Sequence, residues 1–321
     1  MRAIQITSTG GPDVMQDTEL PDPTPDAGEV VVRVGAAGVN FIDTYQRGGM
    51  YAIPLPAVLG AEGAGIVVAV GDGVTTVSAG DRVAWCDTPG SYAELVRVRA
   101  DRLVHVPEYV DDATAASVLL QGMTAHYLLD GSAQPQPGDP ILVHAGAGGV
   151  GLILTQLAKA KGLTVITTVS NDAKAELSAQ AGADHVLRYG ADLPEKVRAL
   201  TDEVGVAVAY DGVGKDTFEL SLAATRVRGT VVLFGAASGP VPPFDLQRLN
   251  PAGSLTVTRP TLAHFIADPG EFRWRAGDVM SAVESGEVTV TVGGQYPLAE
   301  AATAHTDLQS RKTTGSVVLI P

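Results

Sequence analysis

Apolar residues along this chain gather in short runs separated by turns, and the rhythm of those runs changes near residue 111. Residues 1–6, 29–34, 65–70 and 81–85, rich in Val, Ile and Ala, read as strands. Gly10-Gly11-Pro12, a proline-rich stretch at 21–25, Gly71-Asp72-Gly73 and Ala79-Gly80-Asp81 punctuate them. Short strands at this spacing predict a compact β-rich domain over residues 1–120, with sparse helical signals before Asp111. From there, acids followed by good helix formers predict a helix at 111–118 and a second at 122–129. Strand and helix then alternate: strands at 139–143, 163–169, 183–187, 206–211, 229–235 and 254–258, helices at 152–160, 172–181, 192–203 and 217–224. Such alternation predicts an α/β fold with a doubly wound parallel sheet. The tail, 260–321, carries one or two helices and strands at 288–292 and 317–320 that do not continue the alternation. The chain is therefore expected to return to its first domain: 1–120 with 260–321 as one domain, 121–259 inserted as the other.

The stretch between the first two strands of the alternating region carries the clearest chemistry. Gly146, Ala147, Gly148, Gly149, Val150 and Gly151 follow one strand and open a helix, and the glycines at 146, 148 and 151 fit G-x-G-x-x-G. Small residues let the backbone turn sharply and approach a pyrophosphate, and a helix N-terminus offers unpaired N–H groups with a partial positive charge. The pattern alone is also compatible with a structural tight turn; its place between two strands favours dinucleotide binding.

Composition narrows the remaining classes. The chain has 321 residues, 45% hydrophobic and 18% charged, enough for two folded domains. A net charge of -14, with no cluster of Lys and Arg, argues against nucleic acid and anionic membranes. The single cysteine, Cys86, excludes an intrachain disulfide and fits a reducing cytoplasm. The first residues lack a signal peptide pattern, and no apolar run is long enough to span a membrane.

The choice of dinucleotide turns on the end of the second strand. A site selecting NAD places Asp or Glu there to bind the ribose 2′-OH. This chain has Ser170, with Lys174 at the start of the next helix. A hydroxyl and an ammonium suit a 2′-phosphate, which a carboxylate would repel, so NADPH is expected. Asp172, between them, would reverse that preference if it faced inward.

Read end to end, the chain resembles the zinc-free quinone oxidoreductases of the medium-chain dehydrogenase/reductase superfamily, the group that includes zeta-crystallin. The resemblance is carried by Gly38-Val39-Asn40-Phe41-Ile42-Asp43-Thr44-Tyr45-Gln46-Arg47-Gly48-Gly49-Met50-Tyr51 and Leu59-Gly60-Ala61-Glu62-Gly63-Ala64-Gly65. Ala79-Gly80-Asp81-Arg82-Val83, Gln121-Gly122-Met123-Thr124-Ala125, the glycine loop and Tyr210-Asp211-Gly212-Val213-Gly214 continue it. Phe234-Gly235-Ala236-Ala237-Ser238-Gly239 and Val257-Thr258-Arg259-Pro260 complete it. It implies a GroES-like catalytic domain, an inserted Rossmann domain, a cleft between them, NADPH as hydride donor and a homodimer. It further implies that Asn40, Tyr45, Tyr51 and Thr124 border nicotinamide and substrate. Ala147 to Val150 would hold the pyrophosphate, and Ser170, Lys174 and Tyr189 would surround the 2′-phosphate. Phe234, Gly235 and Ala236 would touch the nicotinamide ribose, and Arg311 would lie near the cofactor.

Zinc-dependent relatives place a Cys near position 40, a His after the glycine at 60 and a four-Cys lobe near 90. Here stand Asn40 and Ala61, and one cysteine cannot supply either site. The six histidines show no ligand pair at helical or hairpin spacing, and His144 reads as a packed or hydrogen-bonded residue. No metal is expected. Without a Lewis acid, the fitting substrate is one already electrophilic, such as a quinone. Tyr45 and Tyr51 are candidates to donate to the developing oxyanion, or simply aromatic packing. Asp43 reads as a partner for a backbone turn and Cys86 as a small buried residue. Reduction of an activated C=C bond in an enone or enal remains an alternative, as does a non-enzymatic NADPH-binding role.

Overall fold

A computed structural model describes residues 1–321. The chain folds into two compact units. Met1–Leu120, Asp268–Ala276 and Val290–Pro321 form the first; Gln121–Ala267 and Gly277–Thr289 form the second. The tail 260–321 is thus divided between the units. Residues 277–289 join the second because Val279 packs on Gly122, Asp278 meets His126 at 3.0 Å and Thr289 exchanges hydrogen bonds with Gln156. No helix is long and apolar enough to cross a membrane.

The first unit is β-rich. In chain order it holds β1 (Arg2–Ile6), β2 (Gln16–Glu19), β3 (Glu29–Val39), α1 (Phe41–Arg47), β4 (Ala57–Val58), β5 (Glu62–Val70) and β6 (Arg82–Cys86). β7 (Leu95–Arg99), β8 (Leu103–His105) and α2 (Asp112–Ala115) follow. Helix α1 departs from the sequence expectation of almost no helix before Asp111. Its aromatic and β-branched residues have little intrinsic helix propensity, and a capping box between Asn40 and Asp43 starts it instead.

The second unit is built on a parallel sheet. α3 (Leu119–Tyr127) leads into β9 (Pro140–Val143), α4 (Gly149–Ala160), β10 (Thr164–Val169), α5 (Asp172–Gln180) and β11 (His185–Arg188). Then come α6 (Leu193–Ala199), β12 (Val206–Asp211), α7 (Phe218–Ala224), β13 (Thr225–Leu233), β14 (Thr256–Thr258) and α8 (Leu262–Phe265). The strand order is β11-β10-β9-β12-β13-β14, every pairing parallel, the doubly wound order with its reversal between β9 and β12. Strands β9 and β12 are almost wholly buried, as a sheet covered on both faces requires. Helix α6 ends sooner than the expected residue 203, because Asp202 and Glu203 adopt positive φ of 50° and 64°.

The chain ends with α9 (Pro269–Glu284), β15 (Val292–Pro297), α10 (Ala301–Gln309) and β16 (Ser316–Ile320). The strand expected at 288–292 begins only at Val292: the Val288 N–H closes the preceding helix on the Ala282 carbonyl, so the apparent alternation of valines is not strand periodicity. In the first unit β16 lies between β15 and β3, in the order β15-β16-β3-β5-β6-β8, with β7 also paired to β3. Ile6, Val32, Val39, Val83, Trp85, Tyr92, Val317 and Leu319 fill the core of that unit.

Candidate functional site

At the end of β9 the chain turns through Ala145, which adopts φ 55°, into the glycine loop. Two glycines there are demanded by packing. A Cβ on Gly146 would lie 2.5 Å from Thr167 Cβ, and one on Gly151 would lie 2.3 Å from the Ala145 carbonyl oxygen. Gly148 differs: its nearest neighbour would be the Ala145 oxygen at 3.3 Å, and its φ of -83° suits any residue. Gly148 is also the N-cap of α4 and brings no capping side chain, so the first N–H groups of that helix remain donors toward the loop. Gly149 packs on Gln121, whose Oε1 would stand 1.8 Å from an added Cβ; Ala147 is buried and Val150 half-buried.

His144 supports this turn from below. Asp211 accepts from the Ser221 hydroxyl at 2.8 Å, so the His144 Nε2–H donates to Ser221 at 3.0 Å and Nδ1 accepts from Thr168 at 2.8 Å. Burial lowers its pKa, and the neutral ring serves as a hydrogen-bonded packing residue. Asp211 further accepts from the N–H groups of Val213 and Gly214 and from Thr217, fixing the chain after β12. Beside that segment, Phe234, Gly235 and Ala236 leave β13. Gly235 sits so close to Gly212 that a Cβ would come within 2.3 Å of its carbonyl oxygen.

The turn after β10 carries two of the expected residues, and a third, Tyr189, follows the adjacent β11. Ser170 is exposed, Asn171 caps α5 by accepting from the Lys174 N–H at 2.9 Å, and Lys174 is half-buried on the first turn. Tyr189 stacks on His144, and its hydroxyl oxygen accepts from the Ala145 N–H at 2.9 Å, tying it to the start of the glycine loop. Asp172 does not stand alone beside them: its carboxylate is paired with the Arg188 guanidinium.

In the first unit, Asn40 anchors a buried polar chain that sequence reasoning did not anticipate. Its Nδ2 donates to Glu62 at 2.9 Å, and Glu62 also accepts from the Leu120 N–H at 2.7 Å. The Asn40 N–H donates to Asp43 at 2.8 Å, and the Tyr92 hydroxyl donates to the same carboxylate oxygen at 2.8 Å. His305 lies 3.0 Å from Tyr92 through Nε2 and 3.0 Å from Arg47 through Nδ1. Arg47 can only donate, so Nδ1 accepts, Nε2 carries the proton, and the chain runs in one direction from Arg47 through His305 and Tyr92 to Asp43. Burial pushes Asp43 up to about 7 and Glu62 up to about 8, while burial and the nearby Arg47 charge hold His305 down at about 3. Asn40, Asp43 and Glu62 lie in the motifs that carry the family resemblance; His305 lies far along the chain, and only the fold brings it to them.

Tyr45 and Tyr51 make an edge-to-face pair with centroids 5.6 Å apart, the Tyr51 N–H donating to the Tyr45 carbonyl at 3.2 Å. Arg311 is exposed at the end of α10 in the first unit, with φ 59°. Thr124 is buried on α3 in the second unit. Cys86 is buried in β6, and burial pushes its thiol well up.

Two family models match this chain: "Alcohol dehydrogenase GroES-like domain" over residues 26–108 and "Zinc-binding dehydrogenase" over residues 149–280. A quinone oxidoreductase of Pseudomonas aeruginosa is 45% identical, across 100% of this chain and 99% of that protein. A 2-haloacrylate reductase of a Burkholderia species is 40% identical, across 99% of this chain and 98% of that protein. A mycobacterial protein whose structure was solved with NADPH superposes with a TM-score of 0.98 at 54% identity, each chain covered over 100% of its length. The residues present do not fit the zinc that one family description mentions: no three His, Cys, Asp or Glu side chains come together as a metal-holding group. The position that would offer a thiolate holds Asn40, already committed to Glu62 and Asp43. Glycine loop, parallel sheet, β-rich unit and relatives agree, and the chain belongs to the zeta-crystallin-like quinone oxidoreductases of the medium-chain dehydrogenase/reductase superfamily.

Proposed function

We propose that this protein is an NADPH-dependent quinone reductase acting without zinc. The observation that carries the reading is the loop at the end of β9. Its packing requires glycine at 146 and 151 and is least crowded at Gly148, where an added Cβ would stand 3.3 Å from the Ala145 carbonyl oxygen, beside the uncapped start of α4. Gly148 is where a pyrophosphate approaches closest to backbone. The second unit is the cofactor-binding domain and the first the catalytic domain. Ala147, Gly148, Gly149 and Val150 hold the pyrophosphate; Ser170, Lys174 and Tyr189 hold the 2′-phosphate; Phe234, Gly235 and Ala236 meet the nicotinamide ribose; and Arg311 lies near the cofactor. When bound, NADPH supplies the hydride. Asn40, with its amide held by Glu62 and its backbone by Asp43, borders the nicotinamide and substrate together with Thr124. Tyr45 or Tyr51 donates a hydrogen bond to the oxygen on which charge develops, and water or the same tyrosine delivers the proton. The sum is quinone plus hydride plus proton giving hydroquinone. The protein works as a homodimer in the cytoplasm.

Reduction of an activated C=C bond is the second reading, favoured by the likeness to a 2-haloacrylate reductase. One assay separates them: consumption of NADPH in metal-free buffer with 1,4-benzoquinone or a simple enone, with NADH in parallel. Quinone turnover with NADPH preferred is expected. Turnover of the enone alone moves the function to C=C reduction. Tight NADPH binding with neither acceptor reduced leaves a non-enzymatic role. Light scattering checks the homodimer, which one chain per particle would refute.

A further inference from the structure

Asp172 occupies the first turn of α5, between Ser170 and Lys174 in sequence. Its side chain is fully exposed, and a carboxylate at this turn opposes a 2′-phosphate by simple repulsion. Arg188, the last residue of β11, reaches it from the adjacent strand, Nη2 donating to Asp172 Oδ1. The register makes this reach possible: β10 and β11 run parallel with Val169 opposite Arg188, so the guanidinium rises next to the strand end from which Ser170 departs. Arg188 Nη1 is buried and has no hydrogen-bond partner. The planar group is therefore packed into place at one nitrogen and committed to Asp172 at the other.

We propose that Arg188 is a specificity-determining residue of the cofactor site: by holding and neutralising Asp172, it lets the Ser170–Lys174 turn accept a 2′-phosphate. The proposal rests on the NADPH reading. Arg188 is a positioning residue in it, since its effect passes through Asp172 and its buried Nη1 offers nothing to a ligand. The same turn without Arg188 would present a bare carboxylate, the group that selects an unphosphorylated ribose.

The test is the affinity and the kcat/KM of wild type, Arg188→Gln, Arg188→Lys and the double variant Asp172→Asn/Arg188→Gln for NADPH and NADH, at low and high salt. Arg188→Gln is expected to weaken NADPH roughly tenfold, the scale of one charge–charge interaction at a partly exposed turn, and NADH less than about twofold. The loss falls on KM with kcat kept, and shrinks at high salt. Adding Asp172→Asn restores NADPH to within about threefold of wild type, a rescue that lost packing would not show. Arg188→Lys keeps the charge and the preference, and decides the matter should Arg188→Gln not fold. An unchanged NADPH-to-NADH ratio in Arg188→Gln, or a double variant without recovery, overturns the proposal and leaves the NADPH reading standing. A wild type that does not prefer NADPH fails that reading first, and the proposal with it.

Discussion

Glu62 and Asp43 are the residues whose chemistry departs most from what their types suggest, and pH reads them directly. Burial raises each carboxyl above its unfolded value, Glu62 to about 8 and Asp43 to about 7. The folded state then holds protons that the unfolded chain has released, so each group lowers stability as pH rises from its unfolded pKa to its folded one. His305, held at about 3, and His144, also lowered, act in the opposite sense as pH falls below the ordinary histidine value. Well above pH 6.5 both histidines are neutral in folded and unfolded chains alike, and the carboxyls set the slope. Urea midpoints are therefore expected to fall between about pH 7 and 8, and Glu62→Gln should flatten most of that fall; an unchanged slope would refute the assignment. His305→Phe removes the acceptor of Arg47 Nη1 and the donor to the Tyr92 hydroxyl, while Arg47 keeps Gly10 and Gln309 and Tyr92 keeps Asp43, and should cost about 1–3 kcal/mol by equilibrium unfolding. The motifs made Asn40 and Asp43 legible in the sequence, Asp43 correctly as a partner of a backbone turn. Glu62 stood in a motif without a role, and His305 without any signal, because their meaning depends on burial and on a partner distant in the chain.

At the scale of elements, the glycine loop offers a contrast between two substitutions. Gly151→Ala forces a Cβ against the Ala145 carbonyl and should cost about 1–3 kcal/mol in thermal or urea unfolding, as overpacking does. Gly148→Ala brings a Cβ to 3.3 Å from the Ala145 carbonyl oxygen, a contact relieved by a small shift, and should cost under about 1 kcal/mol while weakening NADPH at least about tenfold by fluorescence titration. Equal losses of stability in both would remove the distinction between a glycine kept for packing and one kept for a ligand. The loop was readable because strand, glycine spacing and helix lie together in the chain. Helix α1 was not, because tertiary packing and a capping box start it rather than propensity. Strand β15 was misplaced because two glycines and a terminal proline hide its alternation, and its pairing with β16 defines it.

For the whole molecule, the last strand carries more than its length suggests. β16 sits between β15 and β3 and buries Val317, Val318 and Leu319, so the first unit is closed by the end of the chain. Ending the chain after Gln309 should leave that unit unfolded, seen as rapid proteolysis of the first unit beside lost strand signal in circular dichroism; a protease-resistant first unit would contradict this. The net charge of -14 predicts no retention on immobilised nucleic acid at physiological salt. By itself, the sequence determined what is written locally: the period of most strands and helices, the turn chemistry, the glycine loop, the single cysteine that cannot supply a zinc site, and a hydroxyl and a lysine in place of an acid after β10. Only the tertiary structure decided what depends on distant segments meeting. It committed Asp172 to Arg188, placed His305 between Arg47 and Tyr92, and divided the tail between two units. Side-chain partners, burial and pKa arise from three-dimensional neighbours, which no local pattern encodes.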